Sequence, residues 1–98
     1  MAKAYWVVAY HEIKNQEAWQ AYAKLASPAI EGAGGKYLVR SNPVKTYESG
    51  MSQRVVLVEF PSVQQAIACH DGAPYQAALK QLAGGAVKRD LRIVEGVA

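Results

Sequence analysis

The chain has 98 residues and a mass of 10.6 kDa, which is enough for one domain over residues 1–98 and too little for two. Hydrophobic residues make up 51% of the sequence and charged residues 19%, a balance that supports a packed core and excludes a disordered chain. The net charge of +3 is spread from Lys3 to Arg92 without a block of like charge, so we expect no nucleic-acid-binding tail.

The first apolar run and the single cysteine bear on location. Residues 5–10 are all apolar or aromatic, but the run is too short to span a membrane and has no small-residue cleavage site after it. Cys69 is the only cysteine, so no internal disulfide can form. We therefore expect a cytoplasmic protein that does not bind membranes.

The first two elements are a strand and a helix. β-branched and aromatic residues over 3–12 predict the strand. Asn15 is a good helix N-cap, and apolar residues follow at helical spacing as far as Ala33. Because proline lacks an amide hydrogen, we expect a kink at Pro28 or a restart of the helix with Ser27 as its cap.

The remaining elements alternate strands with helices. In chain order they are a strand over 36–40, a short extension or hairpin arm over 44–48, a strand over 54–60, a helix from Ser62 to Asp71, further helix from Pro74 to Leu82 and a strand over 90–95. In the first of these helices, Val63, Ala66, Ile67 and His70 fall on one face. The order strand–helix–strand–strand–helix–strand predicts an α+β, ferredoxin-like βαββαβ fold with an antiparallel sheet.

This topology leaves one face of the sheet without helices. Right-handed crossovers place both helices on the same face. Residues 5–10 and 55–58 nevertheless carry apolar side chains on both faces of their strands. At about 25 cal/mol per Å2, leaving several hundred Å2 of the bare face in water forgoes roughly 10 kcal/mol. A second copy of the sheet would cover it, so we predict a homodimer.

Short segments through nearly the whole chain carry a family resemblance. They are Tyr5-Trp6, Tyr22, residues 34–40, residues 54–62, Ala68-Cys69, residues 75–78 and residues 93–96. In this order and at this length, the sequence resembles a bacterial domain-of-unknown-function family, numbered thirteen-thirty, in the dimeric α/β-barrel superfamily. The resemblance implies a homodimer whose two sheets pack face to face into one barrel, with the helices outside.

The chain departs from that family at one place. The family's usual Ser-Pro-Glu before the second tyrosine is replaced by Gly72-Ala73-Pro74, and its later arginine by Lys80-Gln81-Leu82. A site built on that carboxylate and guanidinium is therefore not expected here. Wider relatives include cofactor-free oxygenases, small isomerases and haem-degrading enzymes, but this kinship is an analogy of fold and carries little functional weight.

His70 is the one candidate for acid–base chemistry. Cys69 and Asp71 flank it, and Tyr75 follows about one helical turn later. A histidine beside a carboxylate and a phenol can move a proton near neutral pH. The alternative is a histidine packed at a helix end, with its ring nitrogens bonded to the backbone.

The predicted ligand-binding residues are Tyr22, Arg40, Glu59, His70 and Tyr75. Glu59 interrupts an apolar strand, and a buried carboxylate needs a partner because an unpaired buried charge costs several kcal/mol. It is either a polar anchor in a ligand cavity or one half of an ion pair. The tyrosines, together with the tryptophans, either line a flat apolar pocket or form ordinary core.

No metal site and no cofactor is predicted. His11, Cys69 and His70 supply none of the usual ligand spacings. Haem is a minor alternative, since haem-degrading relatives place an axial histidine in the helix that contains His70. Those relatives also use an asparagine in the first strand, where this chain has only apolar residues over 4–10.

Three hypotheses about function remain at this point. The favoured one is a homodimer that binds an apolar or aromatic metabolite between sheet and helices, with cofactor-free oxygenase or isomerase activity as its catalytic form. The alternative is an interaction or structural module with no catalytic activity. RNA binding is disfavoured because a dimer would bury the open sheet face, and because the Arg/Lys-Gly-aromatic signature is absent. The sequence does not decide whether the protein is an enzyme.

Overall fold

The computed structural model describes residues 2–97, which form four strands and three helices. In chain order these are β1 (Ala4–Ile13), α1 (Gln16–Gly32), β2 (Lys36–Ser41), β3 (Val55–Phe60), α2 (Val63–Asp71), α3 (Ala73–Leu79) and β4 (Val87–Glu95), with a 3-10 turn at Lys80–Leu82. All strand pairs are antiparallel, in the order β2-β3-β1-β4. The predicted ferredoxin-like α+β fold is confirmed.

The central strand, β1, has two different faces. Alternate residues point to the helices and are almost fully buried; they are Ala4, Trp6, Val8 and Tyr10. The residues between them, from Tyr5 to His11, point to the other side of the sheet and are half-buried. We call that side the outer face. Successive side chains of a strand point to opposite faces of the sheet, so burial alternates when the core lies on one face only.

The core on the helix side is built around Trp6. Its ring lies 5.3 Å from that of Phe60 and 4.9 Å from that of Tyr75, centroid to centroid. Its indole Nε1 donates a hydrogen bond of 3.0 Å to the carbonyl oxygen of Ala66. Since the polar atom of this tryptophan is satisfied, the ring is buried at no cost in hydrogen bonding. This contact fixes α2 and α3 against β1.

Helix α1 begins as predicted and does not break where expected. The side chain of Asn15 accepts a hydrogen bond of 3.0 Å from the amide of Ala18. The helix then runs through Pro28 to Gly32 without a restart, so the expectation of a new cap at Ser27 is wrong. Because Pro28 has no amide hydrogen, the carbonyl of Lys24 loses its helical partner. Both residues are exposed, so water can satisfy that carbonyl. Within residues 2–97, no helix is both long and apolar enough to cross a membrane.

Three local predictions need correction. Residues 44–48 form no strand, because Val44 and Tyr47 extend into solvent and have no neighbouring strand. The buried face of α2 is Ala66 and Cys69, whereas Ile67 is 45% exposed. The last strand begins at Val87 instead of residue 90, because the polar residues at its start continue the pairing with β1.

The turn from α1 into β2 requires glycine at residue 35. A Cβ added to Gly35 would lie 2.6 Å from Cγ2 of Ile30 and 2.9 Å from Cζ of Phe60. We expect Gly35→Ala to lower the free energy of unfolding by about 1–3 kcal/mol, because it overpacks a tight contact. Chemical denaturation measures this directly.

Gly32 provides the matched control. It ends α1, and an added Cβ would have no atom within 4 Å. We expect Gly32→Ala to leave stability unchanged or to raise it by up to about 1 kcal/mol, since alanine favours helix. Equal effects of the two substitutions would contradict the packing described for this turn.

Candidate functional site

A cavity lies between α1 and the helix-facing side of the sheet. Its volume is about 110 Å3, and it opens to solvent at its mouth. The space exists because the middle of α1 presents small side chains, Ala23, Ala26 and Ser27, to the sheet. Larger side chains toward the two ends of the helix, among them Trp19 and Ile30, also line the cavity.

Aromatic rings form much of the cavity wall. Trp6 and Tyr10 lie on β1, Tyr37 on β2, and Trp19 and Tyr22 on α1. Tyr10 and Trp19 meet edge to face, with ring centroids 6.3 Å apart. Such a wall suits a flat apolar or aromatic molecule, because aromatic rings provide large contact areas with little loss of side-chain entropy.

A cluster of three tyrosines and one arginine lies at one part of this wall. The hydroxyl oxygens of Tyr22 and Tyr75 are 2.6 Å apart in a buried hydrogen bond. One guanidinium nitrogen of Arg89 donates to Tyr22 at 3.2 Å and to Tyr10 at 3.3 Å, and the other donates to Tyr75 at 2.9 Å. The arginine thus holds hydroxyl groups from β1, α1 and α3 together.

Burial and charge act on this cluster in opposite directions. Burial raises the pKa of Tyr22 far above its usual value, Tyr75 raises it further, and Arg89 only partly opposes this. Burial also acts to lower the pKa of Arg89, but the neighbouring tyrosines outweigh it and raise that pKa. The phenol of Tyr22 therefore stays neutral at physiological pH while the guanidinium stays charged.

Two further arginines line the cavity and stack on aromatic rings. The guanidinium carbon of Arg40 lies 4.3 Å from the ring centre of Tyr37, and that of Arg54 lies 5.2 Å from the ring centre of Trp19. Arg54 is half-buried, whereas Arg40 is exposed and belongs to the rim. No aspartate or glutamate is among the described residues that line the cavity, so the site is electropositive.

The structure brings some of the predicted ligand-binding residues together. Tyr22 and Arg40 line the cavity, and Tyr75 is bonded directly to Tyr22. Glu59 lies on the outer face, opposite Tyr5 in the register, where its carboxylate accepts a bond of 3.2 Å from Lys3. It is therefore separated from the cavity by the sheet itself.

His70 is outside the cavity wall. Its ring packs 5.4 Å from the ring of Tyr75 and 6.0 Å from that of Trp6, on the other side of the core. Its Nδ1 lies 3.1 Å from a carboxylate oxygen of Asp71, which is exposed. The neighbouring Cys69 is buried, and burial raises the pKa of its thiol to about 11, so it is no activated nucleophile.

Sequence reasoning missed Arg89 and gave Arg54 no place in the site. The signal for Arg89 was present, because Val87, Leu91 and Ile93 alternate on one side of β4 and Arg89 interrupts that side. A charged residue on an otherwise apolar side of a strand indicates a buried polar contact. Within residues 2–97, no three His, Cys, Asp or Glu side chains group as a metal site would require.

The fold and cavity together define the class of protein as a ferredoxin-like α+β domain with a cleft between helix and sheet. A solved protein of unknown function from Rhodopseudomonas palustris is similar, with a TM-score of 0.75, 17% identity, and coverage of 99% of this chain and 84% of that one. A candidate antibiotic biosynthesis monooxygenase from Nitrosomonas europaea has a TM-score of 0.60 and 14% identity, and the match covers 98% of this chain and 90% of that one. Another from Caulobacter crescentus has a TM-score of 0.62 and 11% identity, and the match covers 99% of this chain and 92% of that one.

At these identities the likeness concerns the fold alone. The family profile described as "Domain of unknown function (DUF1330)" matches residues 3–97, and the chain therefore belongs to this family. The resemblance found in the sequence is confirmed. No functionally curated protein matches the chain.

The tyrosine–arginine cluster predicts a specific pH dependence of stability. We expect Tyr22→Phe to lower the free energy of unfolding by about 1–2 kcal/mol at pH 7, because it breaks buried hydrogen bonds. The folded-state pKa of Tyr22 is raised, so its contribution is present below pH 10 and is lost as the unfolded tyrosine ionises above about pH 10. The variant should therefore lose less stability between pH 8 and pH 11 than the wild type.

Tyr47→Phe is the control for this measurement, since Tyr47 is 74% exposed in the loop between β2 and β3. Denaturation curves at both pH values should show wild-type stability and a wild-type pH dependence for this variant. The same alkaline loss in Tyr22→Phe as in the wild type would rule out the described environment of Tyr22.

Proposed function

We propose that the protein is a homodimer that binds an apolar or aromatic small molecule in the cavity between α1 and the sheet. The observation that supports this most is the cavity itself, an open space with aromatic walls next to a fixed positive charge. Ordinary cores pack to high density and leave few voids larger than a water molecule. A cavity of about 110 Å3 beside Trp6, Tyr10 and Tyr22 has room for several water molecules, and a concave apolar site with a few polar groups is where proteins bind small molecules.

The alternative, a structural module without a ligand, explains the cavity less well. Such a module gains no stability from an open space beneath α1. Two residues of the wall carry a buried donor, Nε1 of Trp19 and Nε of Arg54, that has no hydrogen-bond acceptor among the described residues. Leaving each of them unpaired costs about 1–3 kcal/mol, which a bound molecule would recover.

A catalytic role is the second candidate, and the tyrosine–arginine cluster favours it. Phenol hydroxyls and a guanidinium stabilise an oxygen that becomes negatively charged, as reactions through an enolate require. Such reactions also need a base, and the described lining residues include no histidine, aspartate or glutamate. His70, the predicted acid–base residue, lies outside the wall. We therefore propose binding, with oxygenase or isomerase chemistry as the activity to test once a ligand is identified.

The proposed dimer rests on the outer face of the sheet. Val7 of β1 and Leu57 of β3 are direct partners in the register and lie at its centre. Val39 of β2 and Val94 of β4 extend the apolar surface on either side, and both are exposed in a single chain. A second copy of the same surface would bury all four, in a closed two-fold arrangement.

RNA binding fits this outer face poorly. RNA-recognition sheets stack bases on aromatic rings that stand on the open face. Here Trp6, Tyr10 and Tyr37 point to the helices instead. Of the aromatic residues in β1, only Tyr5 stands on the outer face.

A charge placed at the centre of the outer face tests the dimer. We expect Leu57→Glu to convert a dimer into monomers, because the interface would bury an unpaired carboxylate. Native mass spectrometry and size-exclusion chromatography with light scattering report the subunit count. Ile67→Glu is the matched control, since Ile67 is exposed on α2, on the helix side of the molecule. A monomeric wild type would overturn the proposed dimer.

Filling the cavity tests ligand binding. We expect one molecule of the uncharged arene 2-naphthamide to bind per chain, measured by isothermal titration calorimetry. Ala23→Leu should weaken this binding at least tenfold, because the larger side chain occupies the space beneath α1.

Ala68→Leu makes the same chemical change on the exposed side of α2 and should leave the affinity unchanged. If Ala23→Leu binds the arene as the wild type does, the ligand does not occupy this cavity. Native mass spectrometry of the protein as purified would also show a retained ligand and its mass.

A further inference from the structure

Two of the polar groups in the cavity wall are left without partners. Nε1 of Trp19 and Nε of Arg54 are buried, and neither has a hydrogen-bond acceptor within residues 2–97. The two side chains are adjacent, because the Arg54 guanidinium lies over the Trp19 ring at 5.2 Å. Both groups are donors only, so whatever satisfies them must supply acceptors.

The cavity also carries positive charge that no carboxylate neutralises. Arg40, Arg54 and Arg89 all line it. Among the described residues, the basic side chains in contact with carboxylates are Lys3, His11, His70 and Arg92, and none of these contacts involves the three arginines of the cavity. Within residues 2–97, the guanidinium of Arg89 donates only to tyrosine hydroxyls. A ligand that brings a negative charge would complete this arrangement.

We propose that the ligand of this cavity is an aromatic or apolar carboxylate whose carboxylate group binds to Arg54 and Trp19. This inference rests on the proposed function, because it names the class of molecule that occupies the same cavity. One oxygen of the carboxylate accepts from the Arg54 guanidinium and the other from the indole of Trp19. Two unpartnered donors match the two oxygens of one carboxylate, and the apolar body lies against the aromatic wall.

The three arginines have different roles in this arrangement. Arg89 is engaged with three hydroxyl groups, so it contributes charge and keeps its own geometry. Arg40 is exposed on the rim, where solvent screens its charge, and it attracts the anion on approach. Arg54 is the half-buried arginine with a free donor, and it is therefore the specificity-determining residue.

A matched pair of probes separates charge from shape. 2-Naphthoate and 2-naphthamide have the same rings and nearly the same size, but only the first is an anion at pH 7. We expect the wild type to bind 2-naphthoate at least tenfold more tightly than 2-naphthamide in calorimetric titrations. Arg54→Gln should reduce the ratio of the two affinities to less than about twofold, since the charge-assisted bonds that favour the anion are lost.

Two further variants test the geometry. Trp19→Phe keeps a ring beneath the arginine but removes the indole donor, and we expect it to weaken 2-naphthoate binding about threefold to tenfold. Lys24→Gln removes one positive charge from the exposed side of α1 and should leave both affinities unchanged. Arg54→Lys keeps the charge but loses Nε, so it should retain only part of the preference for 2-naphthoate. Circular dichroism and thermal unfolding show whether each variant is folded.

Each outcome has a distinct meaning. Equal affinity of the wild type for both probes, with both blocked by Ala23→Leu, would overturn the carboxylate and leave the proposed ligand cavity standing. A preference for 2-naphthoate that survives in Arg54→Gln would overturn the role of Arg54. Binding of neither probe would overturn the proposed function and the present inference together.

Discussion

The guanidinium of Arg89 is bonded to three tyrosine hydroxyls, and most of the interior depends on this one contact. Its partners are Tyr10 on β1, Tyr22 on α1 and Tyr75 on α3, while Arg89 itself lies on β4. A charged group that loses water needs several hydrogen bonds in return, and each phenol oxygen can accept one while donating another. The contact therefore fixes both helices relative to the central strands and keeps a charge in the interior without a carboxylate.

The interior differs on its two sides because the helices present side chains of different size to the sheet. Beneath α2 and α3, Trp6 packs against Phe60 and Tyr75 and its indole is satisfied by a backbone carbonyl. Beneath α1, the small residues Ala23 and Ala26 leave space, and two nearby donors have no acceptor in the described part of the chain. One side is thus a closed core that gives stability, and the other is an open cleft that can exchange contents with solvent.

Charge is distributed in the same unequal way. The carboxylates of Glu59 and Asp90 are paired with Lys3 and Arg92 outside the cavity, whereas the cavity retains arginines whose partners are aromatic rings or hydroxyls. A guanidinium group stacked on an aromatic ring loses little hydration, and its N–H donors remain available in the plane of the guanidinium. The positive potential in the cleft therefore has two causes: arginines line it, and the paired carboxylates lie elsewhere.

Particular residues show how far pattern alone could go. Helical spacing placed Tyr22 on the inner side of α1, as observed. Residues 5–10 of β1 are all apolar or aromatic, so the sequence did not indicate which of them face the helices, and alternation appears only in the burial of the folded strand. The same alternation in β3 places Glu59 with Val55 and Leu57, and burial of Val58 and Phe60 shows that this is the face away from the helices. Which face was covered by helices could not be read from β3, since both sets of side chains are apolar.

By itself, the sequence determined the order of elements, the antiparallel ferredoxin-like topology and the family, because periodicity, caps and turns are local properties of a chain. Only the tertiary structure decided that Tyr22, Tyr75 and Arg89 meet, that His70 lies outside the cavity wall, and that Nε of Arg54 has no acceptor within residues 2–97. Those facts depend on the register between distant strands and on the rotation and height of α1 above the sheet. The register and the position of α1 are set by packing between residues that are far apart in sequence, and no short segment of the sequence specifies that packing.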